Sequence, residues 1–147
     1  AHCPWMAMNG LHNLIDTSKE EHSRVKIDDR GDRFEYRHPL ILDDGSLISN
    51  TKYSPLFKID FCSNLLWINQ EERFHHAIEV NAQGDIWVPT HMYPYGAIER
   101  YVGKDVDSYL DDAITKVSQN GEILFQKSVS ELMIENGLKY LLFSNIW

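Results

Sequence analysis

The stretch His75-His76-Ala77-Ile78-Glu79-Val80-Asn81-Ala82-Gln83-Gly84-Asp85-Ile86-Trp87-Val88-Pro89-Thr90 decides how this chain is to be read. Two adjacent histidines lead into a short alternating strand, a turn containing glycine, and a second strand. Period-2 alternation around an Asn/Gly turn is the signature of a β-hairpin. The same shape recurs. Ile41-Leu-Asp-Asp-Gly-Ser-Leu-Ile-Ser49 matches Val80-Asn-Ala-Gln-Gly-Asp-Ile-Trp-Val88, and the two turn glycines stand 84 − 45 = 39 residues apart. A second hairpin type follows each of these. Leu56-Phe-Lys-Ile-Asp-Phe-Cys-Ser-Asn-Leu-Leu-Trp67 pairs with Ile114-Thr-Lys-Val-Ser-Gln-Asn-Gly-Glu-Ile-Leu-Phe125, and Val25-Lys-Ile-Asp-Asp-Arg-Gly-Asp-Arg-Phe34 is a further copy upstream. A period near forty residues carrying four strands predicts propeller blades.

The expected fold is therefore all-β, a partial β-propeller of four-stranded antiparallel blades, with about two complete blades and part of another. Residues 1–21 are an irregular lead-in with one strand near residues 11–15, and residues 23–36 an outer hairpin. Residues 38–69 and 75–128 are the two complete blades, the second carrying an insertion over residues 92–110 that is rich in Tyr and Gly. A short helix is predicted over residues 129–136, from Ser128 as its N-cap, the early Glu131 and the terminal Asn136-Gly137. At about forty residues per blade, 147 residues do not complete a ring of four to eight. With Ala1 first and an apolar run over residues 138–143 near the end, the chain reads as a piece of a longer protein whose remaining blades are its partner. A small β domain closing on itself is the competing reading.

Composition sets limits. At 43% hydrophobic and 24% charged residues the chain is ordinary globular material. A net charge of −8 argues against a nucleic-acid partner, which requires clustered Lys and Arg. No apolar run is long enough to span a membrane. Two cysteines, Cys3 and Cys62, permit a disulfide without requiring one, and their setting suggests neither a metal site nor a nucleophilic thiol.

The histidine segment resembles the "HHDI-x-V-x-x-x-G-N-I-x-V" signature of the bacterial arylsulfotransferase family that works without a phosphoadenosyl donor. Residues 56–67 resemble its "L-x-x-I-D-x-x-G-x-V-L-W" hairpin, and Asp111-Asp-Ala-Ile-Thr-Lys-Val-Ser-Gln-Asn-Gly-Glu-Ile-Leu is similar to "D-D-x-I-x-x-V-D-x-x-G-x-I-L". The likeness covers roughly residues 23–137. It implies a six-bladed propeller that moves a sulfuryl group from a phenolic sulfate ester to a phenol acceptor through a sulfated histidine. It also implies a periplasmic or extracellular setting. No cofactor and no metal are expected: His75, His76 and His91 are residue types that can ligate a metal, but the sequence supplies no convincing carboxylate set beside them. Two features qualify the match: Ala77 stands where the family has an acidic residue, and the family's nucleophilic histidine is expected beyond residue 147.

Sulfuryl transfer spreads negative charge over three oxygens, so fixed cationic or N–H donors are needed, and a neutral imidazole can be nucleophile or proton carrier. His75 and His76 are the catalytic candidates, and His38, His91 and Arg73 the substrate-binding ones. Strand alternation sets His75 and His76 on opposite faces. His38 and His76 open corresponding strands, with Gly45 seven positions after the first and Gly84 eight after the second. The added residue is assigned to a longer turn. More ordinary roles compete: a turn or packing residue for His38, an exposed loop residue for His91, and a surface salt bridge of Arg73 with Glu71 or Glu72. A propeller that binds a ligand or protein without catalysis is the alternative function.

Overall fold

A computed structural model describes residues 37–50, 54–92, 101 and 110–143. The lead-in, the hairpin over residues 23–36, Cys3 and nearly all of the insertion lie outside the described residues. Just over half of the described residues are in antiparallel strands, and most of the rest are turns and connections. Its elements are β1 (Arg37–Ile41), β2 (Leu47–Asn50), β3 (Ser54–Ile59), β4 (Leu65–Phe74), β5 (Glu79–Val80), β6 (Ile86–Met92), β7 (Asp111–Val117) and β8 (Ile123–Ser128). Two short helices follow, α1 (Val129–Glu135) and α2 (Lys139–Phe143).

All eight strands belong to one open sheet, ordered β1-β2-β3-β4-β6-β7-β8, with β5 pairing β6. The long β4 joins its two halves. Along its length it pairs β3, while Arg73 and Phe74 at its end also face His91 and Thr90 of β6. The fold class is all-β, as expected; the described sheet does not close into a ring.

Four hairpin turns share one geometry. In the turns over residues 42–46, 60–64, 81–85 and 118–122, the first residue's N–H donates to the fifth residue's carbonyl, and the fourth residue's N–H donates to the first residue's carbonyl. The fourth position requires positive φ, and Gly45, Gly84 and Gly121 supply it at 78°, 83° and 88°. The turn over residues 60–64 has Ser63 there at 65°. Polar first residues brace three of the turns: Asp60, Asn81 and Ser118 each accept N–H bonds from two and four residues ahead.

This common geometry corrects the longer-turn assignment. The turns after β1 and β5 have equal length, so the additional residue lies in the strand segment preceding the second one. Both segments carry a left-handed residue. His38 and His76 have left-handed φ values of 47° and 58°, and the β1–β2 register slips between Arg37 and Leu40.

The sheet folds over at β4, so its two halves share one core. Ile48 and Leu56 from the first half cluster with Phe74, Ile78, Ile86, Val88 and Val117. Two side chains of β4 clamp the β7–β8 turn: Trp67 Nε1 donates to the Gln119 carbonyl at 2.8 Å, and Asn69 Nδ2 to the Gly121 carbonyl at 2.7 Å. A side chain at Gly121 would drive into the Trp67 indole, 2.7 Å from Cε3.

A polar seam runs through the second half. Thr90 and Thr115 hydroxyls lie 2.7 Å apart, and Gln126 Nε2 donates to Thr90 Oγ1 at 2.9 Å. Beyond β8, the Ser128 hydroxyl accepts from the Glu131 N–H at 3.0 Å and donates to the buried Asp111 carboxylate at 2.8 Å. One side chain thus caps α1 and ties it to the start of β7.

Candidate functional site

The end of β4, the end of β6 and the start of β7 meet at one edge of the second half. Phe74 and Thr90 are paired and turn toward the core, so their neighbours Arg73 and His91, also paired, project from the opposite face. His91 is in turn paired with Asp112. His75 follows directly from β4, and its N–H donates to the Pro89 carbonyl at 3.1 Å, which holds its backbone against β6.

These placements bring two imidazoles and a carboxylate together. His91 Nδ1 lies 3.1 Å from Asp112 Oδ1, and His75 Nε2 lies 3.4 Å from the same oxygen. The two imidazoles are stacked, with ring centres 4.3 Å apart and planes 22° apart. His76 meets His75 edge-on at 4.8 Å. His75 is buried, at 4% exposure, and His76 is exposed. The Asp112 carboxylate remains 56% exposed and opens the cluster to solvent.

Strand alternation does not govern the histidine pair. The strand ends at Phe74, and the left-handed backbone at His76 turns its ring back against His75 rather than onto the opposite face. As strand neighbours, Glu72 and Arg73 face opposite sides; Glu72 is hydrogen-bonded to Gln126, and its burial raises its carboxyl above the ordinary range. Arg73 is paired across the strands with His91, and its charge lowers the His91 pKa.

The electrostatics favour neutral imidazoles. Burial lowers the His75 pKa below 6.5, and repulsion from His91 and His76 adds to this, while Asp112 and the backbone at Thr90 act the other way. His91 is lowered as well, first by burial and then by Arg73 and His76, again against the pull of Asp112. A proton on His91 Nδ1 shared with Asp112 leaves Nε2 with its lone pair, the form required of a base, nucleophile or ligand.

Four of the sequence-selected residues, Arg73, His75, His76 and His91, therefore fall at one edge. His38 does not join them: it is exposed on β1, three strands from β4 in the sheet order. Asp112 was not singled out. Its signal was the Asp111-Asp112 pair opening a strand that must return beside β6. Two imidazoles, a carboxylate and a nearby guanidinium thus meet at one edge of an antiparallel sheet. Residues 38–145, well over half of the chain, match the family model described as Arylsulfotransferase (ASST), and the chain belongs to that family.

Proposed function

We propose that this chain forms part of a sulfuryl-transfer enzyme of the propeller type, acting on a phenolic sulfate ester and a phenol acceptor. The observation that carries the reading is the His75–His91–Asp112 cluster with Arg73 beside it, in a chain of this family. His91 takes the role of nucleophile here in place of the histidine beyond residue 147 that the resemblance implies. Its Nε2 is buried, so neighbouring side chains must shift before its lone pair attacks sulfur; the bond from sulfur to the aryl oxygen then breaks, and the departing phenolate takes a proton from His76 or water. Arg73 balances the charge on the sulfuryl oxygens. In the second half-reaction the acceptor oxygen attacks sulfur, the S–N bond breaks, and the acceptor's proton passes to the His76 ring or the water that gave one up in the first. Asp112 holds His91 in the required tautomer and steadies the cationic sulfohistidine.

The two halves of the sheet are proposed as adjacent blades, and the open face around Trp87, Ile114 and Phe125 as the seat of a further one. An exported setting belongs to the same reading; Cys62 is disulfide-bonded, a state that persists in oxidising compartments.

The test is nitrophenol release from p-nitrophenyl sulfate by the intact protein in chelator-treated buffer, with and without phenol. Acceptor-dependent turnover should fall by about a hundredfold or more in His91→Ala and less in Asp112→Asn. Turnover that both variants retain in full would remove the cluster from the chemistry. No turnover across a panel of aryl sulfates would sink the enzyme reading.

A further inference from the structure

We propose that His75, His91 and Asp112 form a binding site for a divalent transition-metal ion of the Zn2+ class, contributed by three separate segments of the sheet. The three ligand atoms all lie within 4.8 Å of one another. Zinc binds imidazole nitrogen and carboxylate oxygen at about 2.0–2.2 Å, which in a tetrahedral site places ligand atoms roughly 3.3–3.5 Å apart. The observed separations of 3.1 Å from His91 Nδ1 to Asp112 Oδ1 and 3.4 Å from His75 Nε2 to the same oxygen already match that spacing. The third separation, between the two imidazole nitrogens, lies within 4.8 Å, so the stacked rings must swing toward each other by up to about 1.5 Å to close the set.

The ligand set is also chemically selective. Two imidazoles and one carboxylate suit zinc and its first-row neighbours, whereas calcium and magnesium prefer oxygen alone. The frame is built before the ion arrives. β6 and β7 pair continuously from Ile86 to Met92, fixing His91 beside Asp112, and the backbone bond to Pro89 fixes His75. Exposure of Asp112 leaves a path from solvent, and water or His76 can complete the shell. Arg73 is the opposing charge at the site. It weakens the site for a cation, and the Asp112 carboxylate offsets it.

This inference goes beyond the sulfuryl-transfer reading although it uses some of the same side chains. An ion on His91 Nδ1 displaces the proton that Asp112 would otherwise share, so the metal-bound and transfer-competent states exclude each other.

The experiment is isothermal titration of the chelator-stripped intact protein with Zn2+ alone, repeated with Co2+ while following its visible ligand-field bands. Saturable one-to-one binding is expected, with intensified bands of low-coordinate Co2+. Affinity should fall at least tenfold in Asp112→Asn and further in His91→Ala, with His38→Ala unchanged. Asp112→Asn preserves shape at a half-exposed position, so it decides the matter even if His91→Ala fails to fold. Absence of saturable binding, or binding that Asp112→Asn leaves intact, would overturn the site. The sulfuryl assay runs in chelator and the titration needs no turnover, so either proposal can fail without the other.

Discussion

Leu56 and Ile114 occupy the same place in the two halves of the sheet, yet Leu56 is 0% exposed and Ile114 is 42% exposed. The equivalence follows from the shared turns. Ile59 and Val117 each precede a turn, and counting back three positions reaches Leu56 and Ile114. The match extends across the strands: Lys58 pairs with Trp67 as Lys116 pairs with Phe125. Trp67 is seated on the β7–β8 turn, whereas Phe125 meets Trp87 edge-on at 6.3 Å and is 46% exposed. The same pattern is core in one half and surface in the other because the second half covers the first. Burial here belongs to the neighbouring unit, not to the residue.

The largest expected effect tests this directly. Leu56→Ala removes a fully buried side chain and should cost about 2–5 kcal/mol, while Ile114→Ala should cost under about 1 kcal/mol. Urea denaturation of both variants measures the gap. Equal losses would mean that the Ile114 face is covered in solution, by a partner or a second copy.

Much of this frame was legible in the sequence, because hairpin turns are local. Gly45, Gly84 and Gly121 marked three of the four turns, and Ser128 with Asn136-Gly137 marked the limits of α1. What escaped was non-local or irregular. Asp112 became part of the site only through the register of β6 with β7, which the intervening insertion conceals. The approach of His76 to His75 depends on a left-handed residue that strand alternation does not anticipate. The sequence spacing from His to Gly showed a one-residue difference, but bulge and turn account for it equally well until the hydrogen bonds are known.

A smaller effect separates the halves by pH. Arg37 and Ser54 in the first half stand where His75 and Asp112 stand in the second, so only the second carries the titrating cluster. Both histidines have pKa values lowered by burial. Between the lowered values and about 6.5 the unfolded chain therefore binds more protons, and stability rises with pH through that window. The contribution is complete above about 6.5 and is lost as pH falls. Thermal melts between pH 7.5 and 5 should show the loss, reduced in His91→Gln and enlarged in Asp112→Asn, since that carboxylate favours the protonated rings. A profile unchanged by both variants would contradict the buried neutral pair.

The smallest effect lies in the turns, where the halves differ at one position. Ser63 holds the left-handed φ of 65° that Gly45, Gly84 and Gly121 hold elsewhere. A side chain in that region is disfavoured by roughly 1–2 kcal/mol, and glycine's greater unfolded-state freedom returns about 0.5–1 kcal/mol of the gain. Ser63→Gly should thus stabilise the protein by less than about 1 kcal/mol. The brace is unaffected, because the Asp60 carboxylate accepts from the N–H groups of Cys62 and Asn64 rather than from Ser63. A denaturation midpoint that rises slightly, with unchanged slope, is the expected result. A midpoint that falls would show that the Ser63 side chain contributes more than its backbone strain costs, and that this turn differs from the other three in chemistry as well as in residue.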